Sequence, residues 1–394
     1  MDKFSFLNEQ LKDLADANLL RRCTCIDSAQ GPVVRFAGRQ KAEKVLFCSN
    51  NYLNLAYDPR ITAAVIEAIK KYGYGATASR LISGTMKPHV QAEQAFAEFF
   101  HTEAALFFPS GWAANEAVLK TIPQKGDLVL LDKLDHASII DASRAGSAKF
   151  KTYRRDSIAR LEKLLADTSY NRKFIVTESI FSMDGDCADL KRLVELKNAF
   201  DAILIVDEAH ALGCMGRTGA GLAEELGVLD DVDIIVAPLG KAIAASGAIV
   251  AGRKCVIDYL INRARSFIYT TAPPPADCAA AMAAIEIIKT EPQRRKNLQT
   301  NARYLRNKLK KLGLNIGDST THIIPVIIGE STKALTISKK LYERGFFITA
   351  IRPPTVPQGS ARLRISVQSD HTQKQLDALC DAISKINAEL SFRT

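Results

Sequence analysis

Residues Ile203 to Gly213 read ILIVDEAHALG: four aliphatic residues in a row, then Asp207, Glu208, Ala209 and His210. A short unbroken apolar run is the pattern of a strand covered on both faces, as in a parallel sheet. In open parallel sheets, ligands bind outside the carboxyl ends of the strands, where loops converge and helix N-termini point their free N–H groups. Asp207 and His210, just past such a strand, are therefore candidate site residues.

The same pattern extends to both sides. Candidate strands are Ala104 to Phe108, Asp127 to Leu131, Phe174 to Thr177, Ala202 to Val206, Asp233 to Val236 and Gly247 to Ala251. Helical patterns lie between them at Val90 to Phe100, Ala113 to Thr121, Ser157 to Ala166 and Leu190 to Phe200. This alternation predicts an α/β fold whose large domain has a mostly parallel central sheet covered by helices. The Pro273-Pro274-Pro275 run cannot continue a helix or a central strand and marks a domain edge. Beyond it, a long helical stretch to Leu312, a strand near Ile323 to Ile328, a helix near Ala334 to Arg344, two strands flanking Pro353-Pro354 and a terminal helix predict a smaller α/β domain. The expected division is 1–45 for an N-terminal helix and strand segment, 46–275 for the large domain and 276–394 for the small one. In the first segment Phe4, Leu7, Leu11 and Leu14 recur at helical spacing, which predicts a short amphipathic helix docked on the body.

Composition narrows the class. With 394 residues, 47% hydrophobic and 24% charged, the chain is globular with a large core, which excludes disorder and a collagen-like fibre. The eight cysteines are scattered and only Cys23 and Cys25 lie close, so neither a disulfide framework nor a zinc ribbon is expected. No His-Glu-x-x-His or clustered Cys/His set calls for a metal. The apolar run Cys278 to Ile285 is cut off by Glu286, far short of a membrane span, and the first residues lack a secretory signal. These features point to a reducing cytoplasm.

The ends of the other strands carry matching polar residues. After ALFFP comes Ser110-Gly111-Trp112, opening a helix; after DLVLLDKLD comes His136; after FIVTE comes the loop Ser182-Met183-Asp184-Gly185-Asp186; DIIVAPLG runs into Lys241. A lysine able to form a Schiff base, with a carboxylate able to keep a heteroaromatic nitrogen protonated, is the arrangement a pyridoxal phosphate enzyme requires. Asp207 suits the ring nitrogen, His136 the ring face and His210 the phenolic oxygen. Gly111 and Trp112, at a helix start, offer N–H groups to the phosphate.

These residues sit in longer motifs. SNNYLNL (Ser49 to Leu55), ASRLISGT (Ala78 to Thr85), PSGWAAN (Pro109 to Asn115), FSMDGD (Phe181 to Asp186), DEAHALG (Asp207 to Gly213) and LGK ending at Lys241 resemble, in order and over nearly the whole chain, the α-oxoamine synthases. That family has the fold-type I architecture of pyridoxal phosphate-dependent transferases and condenses an amino acid with an acyl thioester, losing carbon dioxide. The segment Thr349 to Pro357, TAIRPPTVP, is similar to the branch that joins L-alanine to a pimeloyl group in biotin synthesis; the glycine acetyltransferase and 5-aminolevulinate synthase branches usually differ there. The resemblance implies that Lys241 carries the cofactor and acts as the α-proton base, that Asp207 pairs with the pyridinium nitrogen and His136 stacks on the ring, and that Ser182 and His210 lie near its oxygen. It implies that Arg352 anchors the substrate carboxylate with help from Asn50, and that Thr355 belongs to the same substrate segment. Arg21 either meets the acyl substrate or is an exposed helix arginine. Family sites form at a dimer interface, so a homodimer is implied, with Thr270 or Thr271 reaching the neighbouring subunit's phosphate. The pimeloyl donor is carried either by coenzyme A or by an acyl carrier protein.

The chain departs from the family at Pro238, where a threonine hydroxyl commonly holds phosphate; proline has neither hydroxyl nor N–H. Ala211 replaces a frequent glycine, and AIAASG after Lys241 has fewer glycines than usual. Two rivals follow: a glycine C-acetyltransferase, and a pyridoxal phosphate-binding scaffold or regulator without catalysis. GCMGRTGAG, Gly213 to Gly221, matches neither nucleotide-loop spacing and reads as a flexible loop. Asp184 and Asp186, in a glycine-containing turn, are expected to satisfy backbone N–H groups.

Lysine and arginine exceed aspartate and glutamate by ten. Pro292 to Lys311 alone carries eight cations and no acid, with Leu298, Ala302, Leu305, Leu309 and Leu312 at helical spacing. That is an amphipathic helix with a basic outer face. It calls for no nucleic acid; the face is either simply solvated or attracts an acidic acyl carrier protein or the phosphates of coenzyme A.

Overall fold

A computed structural model describes residues 2–37 and 43–392. The expected N-terminal segment, 1–45, thus includes positions 38–42, which lie outside the described residues. By their contacts the described residues form two units. One comprises the chain up to Ser49, the tripeptide Met183–Gly185, and the chain from Asn297 onward; the other comprises Asn50–Ser182 and Asp186–Lys296.

The chain opens with helix α1 (Ser5–Asp16) and strands β1 (Val33–Arg35) and β2 (Glu43–Leu46). The helical spacing of α1 is as expected, but its apolar stripe is only partly covered: no residue of the helix is buried, and Phe4, Leu7, Leu11 and Leu14 are 41–65% exposed. Periodicity fixes which side chains share a stripe, not what covers the stripe.

The larger unit then runs α2 (Pro59–Tyr72), α3 (Lys87–Phe99), β3 (Ala104–Phe108), α4 (Gly111–Thr121), β4 (Leu128–Asp132), α5 (Ala137–Ala145), β5 (Lys149–Tyr153), α6 (Ile158–Leu165), β6 (Lys173–Glu178), α7 (Leu190–Ala199), β7 (Ile203–Asp207), α8 (Leu222–Glu225), β8 (Ile234–Pro238), β9 (Ala248–Gly252), α9 (Lys254–Arg263), α10 (Arg265–Ile268) and α11 (Pro275–Thr290). Seven strands make one sheet in the order β3-β9-β8-β7-β6-β4-β5. Neighbours from β8 to β5 are parallel; β9 runs antiparallel to both β8 and β3. The carboxyl ends of β3, β4, β6, β7 and β8 therefore share one edge. The sheet is buried on both faces, with Val129, Leu131, Phe174, Val176, Ile205 and Val236 in one core with the helices, which is why these strands read as unbroken apolar runs.

Local chemistry starts the helices. Asp58 caps α2 by accepting from Arg60 N at 3.0 Å, with Pro59 at the first helical position. Ser110 caps α4 through Ala113 N at 3.1 Å. The long helical stretch expected after the prolines is two helices, α11 and α12 (Pro292–Lys311), because Glu291 leaves helical geometry and Pro292 restarts it. α11 packs on α2 and α3, so the contact boundary falls at Asn297 and not at the proline run.

The smaller unit continues with β10 (Ile323–Gly329), α13 (Ser331–Glu343), β11 (Phe346–Phe347), β12 (Ala350–Ile351), β13 (Ala361–Ser366) and α14 (Gln373–Leu390). It holds two three-stranded sheets, β10-β13-β12 and β1-β2-β11. Gly185 is built into this unit. Its carbonyl accepts from Thr321 Oγ1 at 2.9 Å, its φ is +68°, and a Cβ there would lie 1.9 Å from the Ile323 carbonyl oxygen, so only glycine fits. Among the described residues no helix is long and apolar enough to cross a membrane.

Candidate active site

Asp207 ends β7 and is 5% exposed. Its Oδ2 accepts from Asn115 Nδ2 at 2.9 Å and its Oδ1 from the main-chain N–H of Ala209 at 2.9 Å. Donors on both oxygens fix the orientation of the carboxylate. Asn115 comes from α4, and its Nδ2 also lies 3.0 Å from Ser138 Oγ in α5, so side chains from three elements meet.

His136 caps α5. Its Nδ1 accepts from Ser138 N at 3.2 Å and lies 2.8 Å from Ser138 Oγ. Because an amide can only donate, Nδ1 is an acceptor and the ring is neutral with its proton on Nε2. Burial pushes the imidazole below its usual pKa, and the Lys241 charge pushes the same way against Asp207. Lys241 follows β8 and lies within electrostatic reach of both His136 and Glu178. Asp207 thus stands as the last residue of β7, with His136 and Lys241 a few residues past the ends of β4 and β8.

His210 is buried, with Nδ1 2.7 Å from the Tyr52 hydroxyl; that hydroxyl donates to Asn50 Oδ1 at 2.9 Å. Asn50 and His210, distant in sequence, are therefore joined through Tyr52. Ser182 is half-buried beside Phe181, whose ring carries the Arg155 guanidinium at 3.9 Å. Arg155 also binds Asp186, while Asp184 pairs with Arg362. The two acids of that turn are thus each ion-paired to an arginine; both arginines are far away in sequence, so the spacing gave no sign of them.

Gly111 and Trp112 form the first turn of α4, where main-chain N–H groups have no helical acceptor. The Trp112 ring stands edge-on to His136 at 6.4 Å. Thr271 bridges Ser79, and Ala272 N donates to Ala78 O at 2.9 Å, so the motif around Ala78 to Thr85 lies against Thr270 and Thr271. The glycine loop Gly213 to Gly221 is tied down instead of loose. Glu224 accepts from the N–H groups of Thr218, Gly219 and Ala220, and buried Glu208 accepts from Leu222 and Ala223.

Arg352, Arg21 and Thr355 belong to the smaller unit and come together there. Arg352 donates to the Asn18 carbonyl; Arg21 Nη2 reaches Thr355 Oγ1 at 3.1 Å. Burial, then the Arg21 charge, pulls the Arg352 guanidinium below its ordinary pKa. Beside them is a cavity of about 370 Å³ walled by Leu11, Leu14, Leu19, Leu20, Pro353 and Pro354, with Arg21 on its rim.

With this geometry the comparisons are specific. The pattern of the family described as aminotransferase class I and II matches residues 42–383. The chain belongs to the aminotransferase class I and II family.

Within that family the chain is 43% identical to an 8-amino-7-oxononanoate synthase of Anaeromyxobacter sp. (strain K), over 98% of this chain and 96% of that one. It is 46% identical to one of Lysinibacillus sphaericus, over 88% and 90%. A serine palmitoyltransferase from S. paucimobilis, solved with PLP and myriocin bound, superposes with a TM-score of 0.92 at 29% identity, covering 99% of this chain and 98% of that one. The mostly parallel α/β architecture expected from the strand pattern is thus the fold of this aminotransferase group. Asn115, Ser138, Tyr52 and Glu178 escaped the sequence reading as site members. Asn115 and Tyr52 stood inside the quoted motifs PSGWAAN and SNNYLNL without a role, and Glu178 was the last letter of FIVTE at a strand end.

Proposed function

We propose that this chain is a pyridoxal phosphate-dependent acyltransferase that condenses L-alanine with a pimeloyl thioester, giving 8-amino-7-oxononanoate, carbon dioxide and the free thiol, as a step of biotin synthesis in the cytoplasm. The observation that carries the reading is the grouping of Lys241, Asp207 and neutral His136 at the ends of parallel strands, in a chain so close to synthases of that name.

The residues present fit the cofactor. Asp207, its two oxygens already oriented, suits a protonated pyridine nitrogen, and neutral His136 suits the ring face. Tyr52, His210 and Ser182 suit the phenolic oxygen, and the first-turn N–H groups of Gly111 and Trp112 suit the phosphate. Pyridoxal phosphate supplies an electron sink for charge released when a bond to the α-carbon breaks. The Lys241 amine is the base that takes the α-proton of alanine and returns it to product. Arg352 offers a planar pair of donors to the amino acid carboxylate, with Asn50 assisting. Arg21, which lines the apolar cavity, and Thr355, its hydrogen-bond partner, suit the far carboxylate and methylenes of a pimeloyl chain, a donor that acetyl transfer does not use.

The functional form is a homodimer in which Thr270 or Thr271 of one copy completes the partner's phosphate site. Exposed apolar residues of the larger unit support it: Tyr74, Ile82 and Tyr269 are 71–81% exposed. Purified protein assayed with alanine or glycine, each against pimeloyl and acetyl thioesters, tests the reading. Product from alanine and a pimeloyl donor, abolished together with the cofactor absorbance in Lys241→Ala, is expected; preference for glycine and acetyl-CoA would assign it to the acetyltransferase branch.

A further inference from the structure

Among the buried acids at these strand ends that the proposed chemistry leaves unused, Glu178 stands out. Glu178 closes β6, is 2% exposed, and stands in register with Asp207 at the end of β7. Its carboxyl accepts the main-chain N–H of His136. The His136 ring is held by Ser138, and Asn115 links Ser138 to Asp207. The β6–β7 pairing then returns from Asp207 to Glu178, so five residues form a closed circuit. One atom in it is left over: Glu178 Oε2 is buried and has no hydrogen-bond partner among the described residues.

A buried oxygen with no donor is costly as part of a carboxylate and far less so as part of a neutral acid. Two carboxyls on adjacent strand ends also resist ionising together. Burial first, and then the Asp207 charge, push Glu178 up to about 8.

We propose that Glu178 is a positioning residue: a neutral acid that fixes His136 through its main-chain N–H and leaves the negative charge of the pair on Asp207. The inference rests on the cofactor reading above, because His136 and Asp207 are the groups that would hold the ring. Glu178 itself makes no contact with substrate in this account. It sets the height and tilt at which the imidazole leaves the end of β4, and it keeps a second anion away from the nitrogen that Asp207 serves.

The test uses the full-length protein freed of cofactor. Pyridoxal phosphate is titrated in while the emission of Trp112 is followed; it is the only tryptophan in the sequence and an edge-on neighbour of His136. Glu178→Gln keeps a carbonyl acceptor and stays neutral, so its dissociation constant should lie within about threefold of wild type. Glu178→Ala orphans the His136 N–H and should bind about tenfold more weakly or worse. Ser138→Ala, which removes the hydroxyl that helps hold the same ring and meets Asn115, should weaken binding in the same direction. A tenfold loss in the Gln variant would mean that an anion is required and overturns the proposal. Unchanged affinity in the Ala variant, even with a lowered thermal midpoint, overturns it as well, by reducing Glu178 to a packing role. If the Ala variant fails to fold, the Gln variant decides alone. Wild-type protein that shows no saturable quenching refutes the cofactor reading itself, a result distinct from any difference among variants.

Discussion

Gly111 and Pro238 touch across the sheet edge so closely that a Cβ on Gly111 would lie 2.8 Å from Pro238 Cγ and 3.0 Å from its Cβ. The proline that stands where relatives of the α-oxoamine synthase type commonly carry a phosphate-binding threonine is therefore packed against the first residue of α4. In the proposed cofactor site the absent hydroxyl would leave the first-turn N–H groups with more of the phosphate to hold.

Gly111→Ala should consequently damage both stability and cofactor binding. Overpacking of this kind costs about 1–3 kcal/mol. Gly111→Ala/Pro238→Ala should recover part of the loss, since the two sites share the contact. Thermal midpoints and pyridoxal phosphate affinity of the two single variants and the double variant measure the coupling; strict additivity would show that the contact carries no energy.

Asn115→Leu should weaken cofactor binding without abolishing folding. It removes the donor to Asp207 Oδ2 and the link to Ser138 at once. The loss of a hydrogen bond to a buried charge is worth about 1.5–3 kcal/mol, equivalent to a factor of about ten or more in affinity. Equilibrium titration of the variant checks this.

Acid should destabilise the smaller unit through its buried histidines. His371 stacks on Phe47 at 4.2 Å, accepts from Gln368 N at 3.0 Å, and is held down to about 4, chiefly by burial. His322 is held down to about 3 for the same reason. Unfolding restores an ordinary imidazole near 6.5, so the unfolded chain binds more protons as pH falls from about 6.5 toward 4. The stability from neutral burial is thus present above 6.5 and lost progressively below it. Urea midpoints measured from pH 7.5 to 5 should fall, and His371→Asn should show a shallower fall. Buried Glu178 and Glu208, raised to about 8 and about 7, contribute the opposite slope, so the difference between wild type and variant is the quantity to read.

Reversing charges on α12 should have unequal effects. Arg294 pairs with Asp58 and Glu291, buried Arg295 donates to the Ile288 and Arg217 carbonyls, Arg306 donates to the Thr321 carbonyl, and Lys308 pairs with Asp377. Lys296, Arg303, Lys310 and Lys311 are exposed, and the first three recur every seventh residue along one face. Arg306→Glu should lower the thermal midpoint, whereas Arg303→Glu and Lys310→Glu should leave it nearly unchanged. Only the latter pair can report whether the basic face draws in the acyl donor, read as a salt-dependent Michaelis constant.

The sequence made some parts of this molecule plain and hid others for physical reasons. β3, β4 and β6 to β9 were legible because both their faces are buried and they read as apolar runs. β5, KFKTY, alternates lysines on a sheet edge and gives no such run. Lys241, Asp207 and His136 drew notice in the sequence because each stands at the end of an apolar run or a few residues beyond it. Asn115 and Ser138 were not, since each lies inside a helix and matters only through the side chain it meets from another element. The pairing of Asp184 with Arg362 and of Asp186 with Arg155 was hidden for the same reason.

The tripeptide Met183–Gly185 gives the smaller unit an unusual dependence on chain order. Its Gly185 carbonyl is the acceptor for Thr321, yet it is made well before β10. During synthesis this peg of the smaller unit therefore emerges long before most of that unit, which is finished only when the last quarter of the chain, from Asn297 onward, has been made. A fragment starting at Asn297 would lack both this peg and the strands β1 and β2, so it should behave as an incomplete body, prone to associate through uncovered edges.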